Sequence, residues 1–222
     1  MMSPRDKMIE KARRFLSTAD PVMKNLIKST PFTLTPNFDQ SPFEALTRAI
    51  ASQQLHGAAA EAILRRFIAL VPGKAFPEPD DVALLTEEQI RSSGFSRSKI
   101  LALRDLGEKV KVGMVPSSDE IQTMDDDTIV SRITQVRGIG RWTVEMLLIF
   151  KLGRMDVLPA DDFGVRKGFM RAYGLAEMPK PKDILSFGER WRPYRTMASW
   201  YLWRAVYDKE QPLPVCWDEK QK

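Results

Sequence analysis

The segment Val136-Arg137-Gly138-Ile139-Gly140-Arg141 decides the fold, because two glycines separated by one apolar residue stand directly before an apolar stretch. Glycine tolerates positive φ and close backbone approach, so the segment predicts a tight turn whose amides face outward. We expect this turn to open a helix from about Arg141 to Leu152. The dipole and the unpaired N–H groups at the start of that helix favour a bound phosphate.

Two adjacent acids, Asp161 and Asp162, follow about twenty residues after the turn and precede a predicted helix from Phe163 to Ala172. Pro-x-Asp before a helix is a common start signal, so one interpretation is that an acid caps this helix. The other interpretation is catalytic, because a fixed carboxylate can stabilise positive charge and orient water. Both interpretations can be true at once, with Asp161 as the cap and Asp162 reaching a cleft.

The rest of the chain predicts short helices in series. Apolar residues keep helical spacing, and alternation with a period of two is nearly absent, the short exception being Phe32-Thr33-Leu34-Thr35. Helix-start signals recur at Asp20-Pro21, Ser41-Pro42-Phe43-Glu44, Thr86-Glu87-Glu88-Gln89 and Ser117-Ser118-Asp119-Glu120. The predicted fold class is all-α.

The amino-acid composition limits which partners and which metal or disulfide sites are expected. The chain has 222 residues, 43% of them apolar, and a net charge of +5, which suits a polyanionic partner without proving one. Cys216 is the only cysteine and His56 the only histidine, so we expect no disulfide, no metal cluster and no cofactor. We find neither a run of 18 apolar residues nor a signal-peptide core, and expect an intracellular protein without a membrane partner, in the cytoplasm (nucleoid) of a prokaryote or the nucleus of a eukaryote.

Four blocks occur in an order that is typical of one family. They are Arg48-Ala49-Ile50 to Gln53-Gln54; Ile133, Val136, Gly138, Ile139, Gly140, Thr143 and Val144; Pro159, Asp161 and Asp162; and Glu189-Arg190-Trp191-Arg192-Pro193-Tyr194-Arg195 to Trp203. Together they resemble the helix-hairpin-helix DNA glycosylases, and most closely the alkylation-repair branch, the DNA-3-methyladenine glycosylases II. With a single cysteine the chain cannot build a four-cysteine iron–sulfur cluster, which excludes the branches of that superfamily that hold one.

The resemblance implies two helical lobes with a DNA-binding cleft between them. Residues 37–154 would form the middle lobe, which ends in the helix-hairpin-helix at about 133–152. Residues 1–36 and 155–222 would form the terminal lobe, which carries the catalytic Asp. We expect a monomer.

The resemblance also assigns roles to single residues. Asp162 matches the catalytic position. Trp142 stands where bifunctional relatives place a lysine that attacks C1′, which implies a monofunctional enzyme in which water attacks. Trp203 matches a base-stacking tryptophan, and an indole face suits a cationic alkylated purine. For Trp142 and Trp203 the alternative is core packing. For two further tryptophans, Trp191 and Trp200, core packing is the interpretation that we prefer.

Between two predicted helices, one ending near Ser52 and one beginning near Gly57, lies the loop Gln53, Gln54, Leu55 and His56. In the resembled family this loop carries the wedge that fills the gap left by a flipped nucleotide. A surface loop without a DNA role is the alternative.

DNA phosphate contacts are expected from Arg137, Gly138, Ile139, Gly140, Arg141, Thr143, Arg166 and Lys167. The hairpin turn could in addition hold a monovalent cation through backbone carbonyls.

The resemblance therefore implies a monofunctional DNA glycosylase in base excision repair. Its partner would be double-stranded DNA containing alkylated bases, from which it releases 3-methyladenine and 7-methylguanine and leaves an abasic site. Two alternatives stay open. One is a helix-hairpin-helix DNA-binding module without catalysis, in which the acids are caps, and the other is a glycosylase for a different base lesion.

Overall fold

The computed structural model describes residues 3–55 and 57–206. Over these ranges the chain forms thirteen α-helices and no strand, which confirms the all-α prediction. The helices are α1 Pro4–Ala19, α2 Pro21–Ser29, α3 Pro42–Ser52, α4 Gly57–Ile68, α5 Pro79–Leu84, α6 Glu87–Ser92, α7 Arg97–Lys111, α8 Ser118–Thr123, α9 Asp126–Ile133, α10 Arg141–Met146, α11 Phe163–Ala172, α12 Pro181–Gly188 and α13 Arg195–Val206.

The four predicted helix-start signals are all confirmed. The side chains of Asp20 and Ser41 accept hydrogen bonds from backbone N–H groups in the first turns of α2 and α3. Thr86 and Ser117 form reciprocal capping boxes at the starts of α6 and α8. These local hydrogen bonds satisfy N–H groups that a helix start would otherwise leave unpaired.

The described chain divides into two compact units, 3–35 with 153–206 and 36–55 with 57–152. In the first unit, α13 is buried almost all round, and Trp200, Tyr201 and Trp203 are at most 1% exposed. The start of α13 is held by Asp156, whose carboxylate oxygens accept from Arg192 and Arg195 at 2.7 Å each. The predicted cleft between two lobes stays a prediction.

A buried carboxylate ties three segments of the first unit together. Asp20, 2% exposed, accepts from the Tyr173 hydroxyl at 2.5 Å and from Trp191 Nε1 at 2.9 Å. Burial, together with this hydrogen bond, raises the pKa of Tyr173 above its ordinary value. Trp191 and Trp200 are both fully buried, which confirms the core packing preferred for them.

In the second unit, the helix expected from Arg141 to Leu152 changes type half-way. It is α-helical as α10 and continues as a π-helix over Leu147–Lys151, in which the Leu152 N–H reaches the Leu147 carbonyl at 3.0 Å. Lys151 is 1% exposed, and its Nζ donates to the Phe38 carbonyl at 2.8 Å. The π-helix therefore ends on a buried lysine that anchors the segment preceding α3.

Across residues 3–55 and 57–206 no helix combines the length and the apolar character that a membrane crossing requires.

Candidate functional site

The hairpin turn uses its two glycines differently. Gly138 has a φ of +75°, in the left-handed region where a side chain is strained. Gly140 has a φ of −94° and a ψ of 172°, which any residue adopts, and it stands as the N-cap of α10. The expectation of two conformationally required glycines is therefore met only at Gly138.

Gly140 lies beside open space. Among the described residues, a Cβ at Gly140 would meet no atom within 4 Å apart from its chain neighbours, so neither backbone conformation nor the packing of these residues excludes a side chain there. Within the described part of the chain, the N–H groups of Gly140 and Arg141 have no protein acceptor. Bare N–H groups at a helix start beside open space can bind an anion through the backbone.

Two other residues predicted to contact phosphate, Ile139 and Thr143, are buried, and their backbone N–H groups donate within the protein. Ile139 is 4% exposed and its N–H donates to the Val136 carbonyl at 3.1 Å, so this amide closes the turn. The prediction that the turn's amides all face outward is wrong at this residue. Thr143 is 5% exposed, and its N–H donates to the Gly140 carbonyl at 3.0 Å. That Ile139 and Thr143 contact a DNA phosphate stays a prediction.

Arg137 and Arg141 flank the turn with exposed side chains. The Arg137 N–H donates to Asp105 Oδ2 at 2.6 Å, and this bond holds the turn against α7. Burial works to raise the pKa of Asp105, but hydrogen bonds from Lys109 and from Arg137 outweigh it and hold that pKa below its usual value. Arg141 Nε donates to Glu145 Oε1 at 3.0 Å, while 62% of the arginine side chain stays exposed.

The predicted wedge loop contacts the hairpin turn directly. Gln53 Nε2 donates to the Gly138 carbonyl at 2.9 Å, across 85 residues of sequence. Gln54 has a φ of +59°, and the side chain of Leu55 is 40% exposed. The fourth predicted wedge residue, His56, lies outside the described residues. The boundaries predicted for this loop are confirmed, since α3 ends at Ser52 and α4 begins at Gly57.

A lysine from α7 holds the same loop at its start. Lys99 Nζ donates to the Ala51 carbonyl at 2.7 Å, in the last turn of α3. Partial burial lowers the pKa of Lys99 from its ordinary value. The loop is therefore anchored on α7 at one point and on the hairpin turn at another.

Asp162 caps α11 and is nearly buried. It is 7% exposed, and its Oδ1 accepts from the Val165 N–H at 2.8 Å and from Trp203 Nε1 at 2.7 Å. The prediction that Asp161 is the cap is wrong, because Asp162 directly precedes the first helical residue and reaches the N3 amide. Asp161 is exposed. The predicted helix from Phe163 to Ala172 is confirmed.

Trp203 lies against the carboxylate and is 1% exposed. A Cβ at Gly164 would lie 2.7 Å from Trp203 Cδ1, so the glycine lets the indole approach the first turn of α11. The observed role of Trp203 is thus to hold Asp162. Its predicted role in base stacking stays a prediction, and that role would require the ring to gain exposure. Trp142, the other predicted stacking residue, is half-buried.

The first turns of α11 also carry the two remaining predicted phosphate contacts. Arg166 Nε donates to the Pro179 carbonyl at 3.0 Å, and Lys167 Nζ lies 5.5 Å from the centre of the Phe163 ring. Both cations are half-buried, whereas Phe163 is 58% exposed. No group of three or more His, Cys, Asp or Glu residues that could hold a metal ion occurs in residues 3–55 and 57–206.

Comparisons with known proteins match most of the chain. Residues 47–193 match the family model described as HhH-GPD superfamily base excision DNA repair protein. The chain belongs to this superfamily. It is 40% identical over 210 residues to DNA-3-methyladenine glycosylase 1 of Schizosaccharomyces pombe, a match that covers 93% of this chain and 92% of the relative. The HhH-GPD identification confirms the resemblance drawn from the four sequence blocks.

Two solved structures resemble this one. The first is the S. pombe 3-methyladenine DNA glycosylase in complex with abasic DNA, with a TM-score of 0.78 and 41% identity over 87% of this chain and 95% of that chain. The second is a DNA-3-methyladenine glycosidase from Bacillus halodurans, with a TM-score of 0.74 and 31% identity over 89% and 94%. These relatives assign the chain to the alkylation-repair branch of the HhH-GPD superfamily.

Sequence reasoning missed three contacts of the predicted site residues, each of them within one compact unit. The bonds from Gln53 to Gly138 and from Trp203 to Asp162 join residues far apart in the chain, and no local pattern announces them. The cap at Asp162 did have a signal. Because the helix was predicted to start at Phe163, the capping rule points to the residue immediately before it.

Proposed function

We propose that this protein is a monofunctional DNA glycosylase that releases alkylated purines from double-stranded DNA and leaves an abasic site. The observation that carries the proposal is the geometry of Asp162, a nearly buried carboxylate held through Oδ1 by the Val165 N–H and Trp203 Nε1. Two donors that converge on Oδ1 fix the carboxylate in one orientation. Such preorganisation is what electrostatic stabilisation of a developing charge requires.

The proposed reaction breaks the bond between C1′ of the sugar and a ring nitrogen of the purine. The base leaves with the electron pair of that bond, and the sugar acquires oxocarbenium character, as in glycoside hydrolysis. Asp162 stabilises this positive charge and orients the water whose oxygen bonds to C1′. The proton lost by the water passes to the carboxylate or to solvent, so no metal is needed.

DNA binding would begin at the hairpin. The Gly140 and Arg141 amides would hold a phosphate, and the exposed side chains of Arg137 and Arg141 would add positive charge beside it. DNA as the partner is supported by the S. pombe relative, whose structure contains abasic DNA. The names of the relatives support 3-methyladenine as a substrate, and 7-methylguanine is proposed because alkylation there also makes the purine cationic.

Trp142 supports hydrolysis rather than strand cleavage. It occupies the position of the lysine that attacks C1′ in bifunctional relatives, and an indole provides no amine nucleophile. Borohydride reduction during turnover should therefore trap no covalent adduct between protein and DNA. A trapped adduct would overturn the monofunctional assignment.

The direct test is release of bases from DNA treated with a methylating agent, followed by chromatography of the soluble bases. We expect 3-methyladenine and 7-methylguanine in the supernatant. Tight DNA binding without any released base would favour the non-catalytic DNA-binding module. Release confined to oxidised or deaminated bases, measured on a panel of single-lesion duplexes, would favour a glycosylase for another lesion.

Replacing Gly140 with alanine should weaken duplex binding without unfolding the protein. Apart from its chain neighbours, the new Cβ meets no atom of residues 3–55 and 57–206 within 4 Å, but it occupies the space through which a phosphate would approach the amides. Loss of one hydrogen bond to a charged group corresponds to an affinity decrease on the order of tenfold or more. Fluorescence anisotropy with a labelled duplex measures this change.

The matched control for Gly140→Ala is Gly107→Ala in α7. A Cβ at Gly107 would meet nothing closer than 3.8 Å, so the same change is made in the same compact unit without a clash. We expect the control to bind DNA like the wild type. Equal affinity of the Gly140 variant and the wild type would contradict a backbone phosphate site at this turn.

Replacing Trp203 with phenylalanine should slow base release by about ten- to a hundredfold, because an indole N–H that donates to a carboxylate is lost while an aromatic ring is kept. Single-turnover kinetics with excess protein measures the step directly. Trp200→Phe is the matched control: it lies on the same helix, and its buried Nε1 has no hydrogen-bond partner in the described chain. A similar slowing in both variants would indicate lost packing rather than a misplaced carboxylate.

A further inference from the structure

We propose that Gln53 is a positioning residue that locks the wedge loop, Gln53 to Leu55, to the phosphate-binding hairpin turn, so that nucleotide flipping depends on its side-chain amide. This inference rests on the proposed function. The observation behind it is the 2.9 Å hydrogen bond from Gln53 Nε2 to the Gly138 carbonyl.

The acceptor of this bond is the residue that shapes the turn. Gly138 is the glycine whose left-handed φ of +75° directs the backbone toward Gly140 and α10. Because a peptide unit is planar, the Gly138 carbonyl is fixed relative to the Ile139 N–H, which closes the turn by donating to the Val136 carbonyl at 3.1 Å. The Gln53 bond therefore depends on the orientation of the peptide unit that closes the turn. Gln53 therefore links the loop to the element that holds the phosphate, and not to a remote part of the compact unit.

The loop itself is tightly constrained. Lys99 Nζ holds the Ala51 carbonyl at 2.7 Å, and the Leu55 N–H donates to the Ser52 carbonyl at 3.1 Å. Between these points Gln54 has a φ of +59°, a conformation that a residue with a side chain keeps only where its surroundings impose it. The 40% exposed side chain of Leu55 is consequently presented from a defined backbone.

A fixed distance between wedge and phosphate site matters for flipping but little for initial binding. The phosphate contacts can form wherever the loop lies, because they use the turn alone. To open a base pair, in contrast, a side chain must enter the stack at a set position relative to the held phosphate. Without the Gln53 bond, the loop should still allow binding but should insert less effectively.

The test uses Gln53→Met in the full chain, which keeps the length of the side chain but removes the donor. Single-turnover release of 7-methylguanine is measured from two duplexes, one with the lesion paired to cytosine and one with the lesion in a single-nucleotide bulge. Because one hydrogen bond is lost, we expect the paired rate to fall on the order of three- to tenfold. The bulged rate should fall by less than about twofold, since an unpaired base is already extruded at low cost.

A second readout is independent of base release. A duplex carries 2-aminopurine next to a tetrahydrofuran abasic analogue, and the change in 2-aminopurine fluorescence on binding reports insertion of a side chain into the stack. The Met variant should show a smaller change at saturating protein. Its affinity for an undamaged duplex should stay within about twofold of the wild type, as expected for a substitution outside the phosphate site.

Two further variants separate positioning from general damage. Gln53→Lys restores a donor and should recover the ratio of paired to bulged rates, and a charge effect on binding would cancel in that ratio. Gln122→Met makes the same change at an exposed glutamine of the same compact unit, in α8 and outside the helix-hairpin-helix, and should leave the ratio unaltered. Thermal unfolding of each variant checks that the proteins are folded.

The outcomes are distinguishable. If the Met variant slows both duplexes equally and its fluorescence change matches the wild type, the inference fails while the proposed function stands. If the wild type releases no base from any substrate, the proposed function fails. The fluorescence comparison then still decides whether Gln53 controls insertion of the loop.

Discussion

Asp162→Asn is expected to abolish release of 3-methyladenine while duplex binding is retained. The asparagine side-chain oxygen can still accept from the Val165 N–H and from Trp203 Nε1, so the cap and the position of the group should survive. The negative charge is lost, and with it the stabilisation of the oxocarbenium-like sugar and the activation of water. We expect the single-turnover rate to fall by at least about a thousandfold.

The neighbouring acid provides the matched control. Asp161→Asn makes the same change one residue earlier, on an exposed side chain that does not cap α11. Its rate should stay within about twofold of the wild type, as is usual for surface substitutions. Full activity of Asp162→Asn would contradict the proposed mechanism, and loss of activity in Asp161→Asn alone would show that the wrong acid has been assigned.

Gly168→Ala should have the largest effect on stability. A Cβ at Gly168 would lie 1.9 Å from the carbonyl oxygen of Leu202 and 2.6 Å from its carbonyl carbon. Both atoms belong to the backbone of α13, so no side-chain rotation can relieve the overlap, and α11 and α13 must separate. We expect the free energy of unfolding to decrease by about 3 kcal/mol or more, measured by chemical denaturation.

Gly107→Ala is again the appropriate comparison, because it places alanine in a helix without a close contact. There the higher helix propensity of alanine should leave stability unchanged or raise it by up to about 1 kcal/mol. Because α11 carries Asp162 and α13 carries Trp203, the Gly168 variant should also release base more slowly per folded molecule. Equal stability of the Gly168 variant and the wild type would contradict the close approach of the two helices.

Gly168 shows why sequence reasoning reaches only part of the fold. Gly164 and Gly168 lie four residues apart in α11, and helix propensity alone counts both as weaknesses. In the structure both are contact positions, one for the indole of Trp203 and one for the backbone of Leu202. The helix itself was predictable from its periodicity and cap, but its partner was not, since packing partners are chosen by shape.

Asp161 and Asp162 illustrate the same division at the site. The sequence predicted an acid cap at the start of a helix but assigned it to Asp161, whereas the cap in the structure is Asp162. It could not indicate that Trp203, 41 residues later, donates to the same oxygen. Trp203 was predicted to face a base because its sequence position matches a family pattern, whereas its burial depends on how α13 packs against α11.

The sequence by itself determined the all-α class, the helix boundaries at Asp20, Ser41, Thr86 and Ser117, and the family, because caps, periodicity and motif order are properties of neighbouring residues. Only the tertiary structure decided which groups meet: Gln53 with the Gly138 carbonyl, and Trp203 with Asp162. It also decided which glycine of the hairpin is required by its own backbone. These are contacts between distant segments, whose geometry is fixed by packing of the whole compact unit rather than by local preference.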